Sequence, residues 1–229
     1  MGEQVRITSD GTATDGYLAT GEGAGLGVLV IHEWWGVVPH IQDVCERLAA
    51  EGFTALAPDL YEGRTIPNSE PDEGRKAVMA LDMPRAARDL SGAVDFLTAH
   101  PAVRGNGVGV VGFCTGGGLA LWLAGLRPDA VRAVVPFYGT FPRAEAQPDW
   151  DRIEAPVEGH YGEQDHVAPP EVAHDIEERL SARGTEVRLF FYPNVGHAFF
   201  NDTRPEAYDE DAARQAWVRT LEFLRAKLG

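Results

Sequence analysis

The sequence predicts an α/β fold in which a mostly parallel central sheet of about seven or eight strands carries helices on both faces. Short runs of consecutive apolar residues, typical of strands covered on both sides, alternate with segments of helical periodicity. Such alternation indicates parallel strands joined by helical crossovers. The chain has 229 residues, of which 44% are hydrophobic, so we expect a single domain spanning residues 1–229.

The individual elements follow from the same patterns. Strands are predicted at residues 26–32, 53–58, 108–111, 131–138, 156–162 and 187–192. Helices are predicted at residues 39–50, 85–99, 119–124, 171–183 and 208–228. Two short antiparallel strands, residues 4–8 and 16–20, flank a turn at Asp10-Gly11, and the polar stretch 61–73 is expected to be an exposed loop.

Charge and hydropathy exclude several functions. The net charge of −15 argues against binding to nucleic acid or to an anionic membrane, because their phosphates would be repelled. The amino terminus has no basic segment followed by an apolar one, and no run approaches the roughly 18 apolar residues of a membrane span. We therefore expect a soluble, cytoplasmic protein that acts on a small molecule, as a monomer or a small homo-oligomer.

The two cysteines are too few for a disulfide framework and are not clustered with other metal ligands, so no metal site is predicted. Cys45 lies in an amphipathic helical pattern and is expected to pack as a buried thiol. Residues 107–112 match G-x-G-x-x-G, but these glycines run through a predicted strand, whereas a dinucleotide site needs them in the turn after it. No cofactor is expected.

Cys114 has a different setting. The turn Gly112-Phe113-Cys114-Thr115-Gly116 follows an apolar strand and precedes a helix. A strand, a sharp turn, a nucleophile and a helix form the nucleophile elbow, which is written G-x-S-x-G when the nucleophile is serine. The glycines let neighbouring backbone approach closely in this tight turn. The pattern predicts acyl transfer through the thiolate of Cys114.

A nucleophilic thiol needs a base, and the base needs a carboxylate that holds its tautomer and offsets its charge. Asp165 and His197 each follow a predicted strand. With Cys114 they stand in the order nucleophile, acid, histidine, which is the order found in hydrolases that carry their nucleophile on such an elbow. Because the carboxyl ends of parallel strands lie at one edge of the sheet, we expect Cys114, Asp165 and His197 to meet there. The backbone N–H groups of Thr115 and Trp34 are the candidate oxyanion donors.

Five segments spread in order along the chain resemble the dienelactone hydrolase, or carboxymethylenebutenolidase, family of the α/β-hydrolase superfamily. They are residues 31–36 (IHEWWG), 57–61 (APDLY), 112–117 (GFCTGG), 162–165 (GEQD) and 196–199 (GHAF). The resemblance implies an α/β-hydrolase fold and cofactor-independent hydrolysis of an ester or lactone through an acyl-cysteine. It also implies that Glu33 joins the triad as a fourth member, which keeps Cys114 protonated at rest by like-charge repulsion. Alternatively, Glu33 caps a loop or pairs with an arginine.

The family's named substrate is a five-membered unsaturated lactone that carries a carboxylate and yields maleylacetate. In the family, arginines bind that carboxylate, one of them four residues past the catalytic histidine. Here that position is Asn201, and the nearest arginine is Arg204, three residues further. The family's other arginine lies in the stretch before residues 81–83, where Arg75 is nearby but not in register, so Arg204 and Arg75 are the candidate anion-binding residues. Four aromatic side chains are candidates for the wall of an acyl pocket: Trp34, Trp35, Tyr138 and Phe199.

Two other functions remain open from the sequence. One is a carboxylesterase or thioesterase of broader specificity that uses the same triad. The other is a non-catalytic thiol sensor on a hydrolase scaffold, for which Cys114 would be reactive without acyl turnover.

Overall fold

The computed structural model describes residues 2–9 and 11–229, and these form one eight-stranded sheet with six α-helices. The strands are β1 (Glu3–Ser9), β2 (Thr12–Thr20), β3 (Gly25–Ile31), β4 (Phe53–Pro58), β5 (Val103–Phe113), β6 (Val131–Phe137), β7 (Val157–Gly162) and β8 (Val187–Tyr192). The helices are α1 (Pro39–Ala50), α2 (Pro71–Ala80), α3 (Met83–Ala99), α4 (Thr115–Leu126), α5 (Pro170–Ser181) and α6 (Glu210–Leu228). Two short 3-10 helices lie at Ala144–Ala146 and Trp150–Arg152.

The strand order is β1-β2-β4-β3-β5-β6-β7-β8. β1 and β2 are antiparallel to each other, and β2 is antiparallel to β4, whereas the six strands from β4 to β8 run parallel. The mostly parallel sheet predicted from the sequence is therefore confirmed. After β3, the chain forms β4 on one side of β3 and later β5 on its other side, so the direction of strand order reverses at β3. Ligands of such sheets bind at the carboxyl ends of the strands beside this reversal.

Two glycines of β5 show that helices cover both faces of the sheet. Residues three apart on a strand point to opposite faces. A Cβ atom on Gly109 would contact Leu224 and Leu228 of α6, whereas a Cβ atom on Gly112 would collide with the backbone of Gly116 in α4. Helices α6 and α4 therefore lie on opposite faces, as predicted.

The structure corrects the sequence prediction at one helix. The stretch 61–73 was expected to be an exposed loop, and 71–80 was not assigned to any element, but α2 begins at Pro71. Only Gly74, Ala77 and Val78 of this helix are buried, so it offers few apolar residues from which a helix could be predicted. In the predicted turn at Asp10-Gly11, Asp10 lies outside the described residues. Among the described helices, none is both long and apolar enough to cross a bilayer.

Candidate active site

Cys114 lies in a strained turn between β5 and α4. Its backbone has φ 55° and ψ −119°, a conformation that residues other than glycine rarely adopt. A Cβ atom on Gly116 would collide with the carbonyl oxygens of Ile31 and His32, and one on Gly112 would collide with Gly116. Glycine is therefore required at both positions. The strained turn places the Cys114 side chain at the carboxyl end of β5.

Backbone hydrogen bonds fix the same turn to the adjacent strand. The N–H of Cys114 donates to the carbonyl of Phe137 at 3.0 Å, and its own carbonyl accepts from the N–H of Thr140 at 3.0 Å. Thr115 is the first residue of α4, so its N–H has no acceptor within the helix. This N–H, at the positive end of the helix dipole, can stabilise negative charge beside Cys114.

Asp165 and His197 form a direct pair at the same edge of the sheet. Asp165 follows β7 and is 2% exposed, and His197 follows β8. The imidazole Nδ1 donates to Asp165 Oδ2 at 2.8 Å. The other carboxylate oxygen of Asp165 accepts from the backbone N–H groups of Val167 and Ala168 at 2.7 and 2.8 Å. Burial opposes ionisation of Asp165, but these hydrogen bonds outweigh it and lower the pKa of the carboxyl.

The other imidazole nitrogen, Nε2 of His197, is buried and has no hydrogen-bond partner among the described residues. Cys114 nevertheless lies close enough to act on the ring. Burial disfavours the imidazolium, but the negative charge of a Cys114 thiolate and the hydrogen bond to Asp165 outweigh that penalty and raise the pKa of His197 to about 10. Ionisation of the Cys114 thiol therefore favours the imidazolium form of His197.

This raised pKa predicts a specific titration. We expect the His197 imidazole to titrate near pH 10 in the native chain, and at a lower pH in Cys114→Ala, because the attraction to the thiolate is lost. Imidazole nitrogen shifts measured by NMR between pH 5 and 11 report the pKa, and His197→Gln assigns the signal. An unchanged pKa of His197 in Cys114→Ala would contradict the coupling between these two side chains.

The same pKa shift makes the free energy of unfolding depend on pH. The folded-state pKa of His197 lies above the ordinary value of about 6.5, so protonation stabilises the folded state. This stabilisation is complete below about pH 6.5 and disappears as the pH rises toward 10. Cys114→Ala should therefore lose less stability than the native chain between pH 7 and 10.

Glu33 lies at the start of the loop that follows β3 and is 2% exposed. Its Oε1 accepts from the Tyr138 hydroxyl at 3.3 Å, and its Oε2 accepts from the Asn201 amide at 2.9 Å. The described hydrogen bonds and ion pairs give it no arginine partner. Glu33 is therefore held by two neutral donors, one directly after β6 and the other in the segment that follows β8 and contains His197.

A cleft of about 360 Å³ opens beside Cys114. Trp34 and Thr115 form part of its wall, and Arg75 of α2 lies at its edge with 71% of its side chain exposed. Arg75 is paired with Asp72 at 3.2 Å. Of the two candidate anion-binding residues, only Arg75 therefore lies at the cleft.

The other substrate-binding candidates do not line this cleft. Trp35, Tyr138 and Phe199 are at most 1% exposed and do not line the cleft, because each ring gains more by complete burial against other apolar groups. Arg204 donates to Glu206 at 3.0 Å and lies over the ring of Trp35. It lines a separate cavity of about 480 Å³ together with His197.

The roles of two residues at the site were not predicted from the sequence. Tyr138 has φ 39° and holds Glu33 instead of lining the cleft. Asn201 was noted only as a departure from the family pattern, yet it is the second partner of Glu33. Its position four residues after His197 was the available signal. Within the described part of the chain, no group of three or more metal-ligating side chains is assembled.

Comparison with known proteins agrees with this architecture. The model of the dienelactone hydrolase family matches residues 14–228. "Protein usf" of Aquifex pyrophilus is 36% identical over the full length of both chains, and a "putative carboxymethylenebutenolidase" of Aquifex aeolicus is 34% identical, also over the full length of both. The crystal structure of a "putative dienelactone hydrolase" from Klebsiella pneumoniae is 28% identical, with a TM-score of 0.86 and 98% coverage of each chain. The chain belongs to the dienelactone hydrolase family and is a hydrolase with the α/β-hydrolase fold.

Proposed function

We propose that Cys114, His197 and Asp165 are a catalytic triad that hydrolyses an ester or lactone through an acyl-cysteine. The observation that carries this proposal is the 2.8 Å hydrogen bond between His197 and Asp165, at the strand ends where the strained turn presents Cys114. A carboxylate that accepts from Nδ1 fixes the imidazole tautomer, so that Nε2 is free to accept a proton from the thiol. A thiol that served only as a sensor would not need this pair.

The reaction proceeds in two halves. The Cys114 sulfur attacks the carbonyl carbon, and the carbonyl oxygen takes the negative charge beside the N–H groups of Thr115 and Trp34. His197, which carries the proton taken from the thiol, gives it to the leaving oxygen, and the alcohol departs. Water then attacks the thioester as His197 accepts a proton from it. The carboxylic acid leaves, and that proton returns to the sulfur.

We propose that Glu33 keeps the thiol protonated until substrate arrives, as the family resemblance implies. Its buried carboxylate adds negative charge at the strand ends that carry Cys114, and this charge disfavours a second one on the sulfur. The hydrogen bonds from Tyr138 and Asn201 support this role, because they are the contacts from which Glu33 would have to be released.

The substrate class is either the carboxylate-bearing lactone that the relatives' names imply or a broader range of esters and thioesters. Asn201 stands where the family has an arginine, and Arg75 is exposed and already paired with Asp72. These two observations favour the broader esterase. The single-domain organisation, the cytoplasmic location and the monomer or small homo-oligomer remain predictions.

A substrate panel tests this function. The native chain should hydrolyse at least one of a five-membered unsaturated lactone, a 4-nitrophenyl ester and an acyl thioester. Hydrolysis of each compound is monitored by the release of its product. His197→Ala should abolish turnover because no base remains. If His197→Ala hydrolyses the best substrate at the native rate, the proposed triad is wrong. If the native chain hydrolyses none of the three compounds while Cys114 remains reactive, the protein is better described as a thiol sensor.

A further inference from the structure

The inference concerns the acyl group that the site accepts, and it rests on the proposed function. The cleft beside Cys114 is mainly apolar. Its apolar wall includes Trp34, Val78, Met79, Phe141, Pro142 and Val167. Threonine hydroxyls at Thr115 and Thr140 and the guanidinium of Arg75 are its polar groups. A ligand that fills this cleft therefore meets mostly hydrocarbon.

The mouth of the cleft exposes large apolar side chains to solvent. Met79 of α2 is 54% exposed, and Val167, in the loop that follows Asp165, is 58% exposed. They are two of the four large hydrophobic residues exposed in the described part of the chain. Adjacent exposed apolar groups at a concave site are typical of a surface that an apolar ligand covers.

A narrow recess continues from the cleft on the side of Thr115. It shares Val78, Thr115 and Thr140 with the cleft, and Leu119 of α4 forms part of its wall. Its free volume is about 20 Å³, against about 360 Å³ for the cleft. A volume of this size holds roughly one water-sized group. The recess can therefore take the end of a short alkyl chain and no more.

The cations near these cavities are already paired. Arg75 pairs with Asp72 at 3.2 Å and is largely exposed. Arg143, at the recess, donates to the carbonyl of Leu81 and pairs with Glu145 at 3.5 Å. A carboxylate on the acyl group would have to compete with Asp72 for Arg75 or with Glu145 for Arg143, and elsewhere it would lose water against apolar walls, which is costly.

We propose that the cleft and the recess select esters with an uncharged, short apolar acyl group, and that Leu119 sets the limit on acyl length. Leu119 and Thr115 lie on the same helix, α4. The position of Leu119 relative to the oxyanion donor therefore limits how long a bound acyl group can be.

The test uses 4-nitrophenyl esters of straight-chain acids with two, four, six and eight carbons. It adds 4-methylpentanoate and its carboxylate-bearing analogue of equal size, the hemisuccinate. The native chain should prefer the short neutral esters, with kcat/KM at least 10-fold higher for 4-methylpentanoate than for the hemisuccinate. Leu119→Ala should raise the ratio of eight-carbon to four-carbon kcat/KM about 10-fold, since misfit by a few methylenes in an apolar pocket has effects of this size.

Leu123→Ala is the matched control. Leu123 is a buried leucine of the same helix, one turn further on, and it does not line the recess. Its acyl-length profile should match the native one, even if its stability falls. Val78→Ala enlarges the recess from α2 and should shift the profile in the same direction as Leu119→Ala, which keeps the test decisive if one variant fails to fold.

The outcomes separate this inference from the proposed function. A preference for the hemisuccinate, or identical length profiles for Leu119→Ala and Leu123→Ala, would overturn the inference while leaving Cys114-dependent turnover intact. If no ester in the series is hydrolysed in a way that depends on Cys114, the proposed function itself is wrong.

Discussion

Cys114→Ala is expected to lower kcat/KM for the best ester substrate by about 10⁴-fold or more, because no other group can form the acyl-enzyme. The oxyanion donors and the cleft remain in this variant, so a small residual rate should survive. Steady-state hydrolysis monitored by release of 4-nitrophenol, together with the thermal unfolding midpoint, separates loss of chemistry from loss of fold.

Cys45→Ala is the control for this experiment. Cys45 is the other cysteine of the chain, it lies fully buried in α1, and burial raises the pKa of its thiol. A buried thiol of this kind packs as a small apolar group and is inert. Cys45→Ala should keep the native kcat/KM with at most a modest loss of stability. Activity that survives in Cys114→Ala but not in Cys45→Ala would show that Cys114 is not the nucleophile.

Asp165→Asn is expected to lower kcat by about 10³- to 10⁴-fold, because the base would adopt the wrong tautomer. An asparagine can still accept from the N–H groups of Val167 and Ala168, but it would then present its NH₂ group to His197 Nδ1. That nitrogen would have to accept, which places the imidazole proton on Nε2, where it cannot take a proton from Cys114. The pKa of His197 should fall at the same time, because the hydrogen bond to the carboxylate raises it.

Asp202→Asn provides the matched control for Asp165→Asn. Asp202 is half exposed, and its carboxylate lies 3.2 Å from Nδ1 of a different buried histidine, His40. Breaking this second histidine–carboxylate contact should leave kcat unchanged. Equal losses of kcat in the two variants would show that the effect is structural and that Asp165 has no particular role in catalysis.

The sequence sufficed to predict most of the fold. Short apolar runs identified the six parallel strands, and glycine spacing identified the turn at Cys114. Helix α2 was not predicted because it buries only three residues and its charged side chains face solvent. Its start at Pro71 was obscured by the polar loop before it, since proline marks both loops and first helical turns.

The placement of the site at the strand ends was also predictable, since the carboxyl ends of parallel strands share one edge. The contact between Glu33 and Asn201 was not predictable, because 168 residues separate them and either could have formed other hydrogen bonds. Aromatic rings were the weakest predictions. Composition alone does not distinguish a ring that lines a cleft, such as Trp34, from one buried behind it, such as Trp35.

The most direct test of the covalent mechanism is the intact mass of the protein during turnover. The native chain is mixed with excess 4-nitrophenyl ester and quenched in acid within milliseconds to seconds. We expect a mass increase equal to the acyl group, located by peptide mapping on Cys114 and absent from Cys114→Ala. An acyl adduct on another residue, or full turnover by Cys114→Ala with no adduct on that variant, would contradict the account.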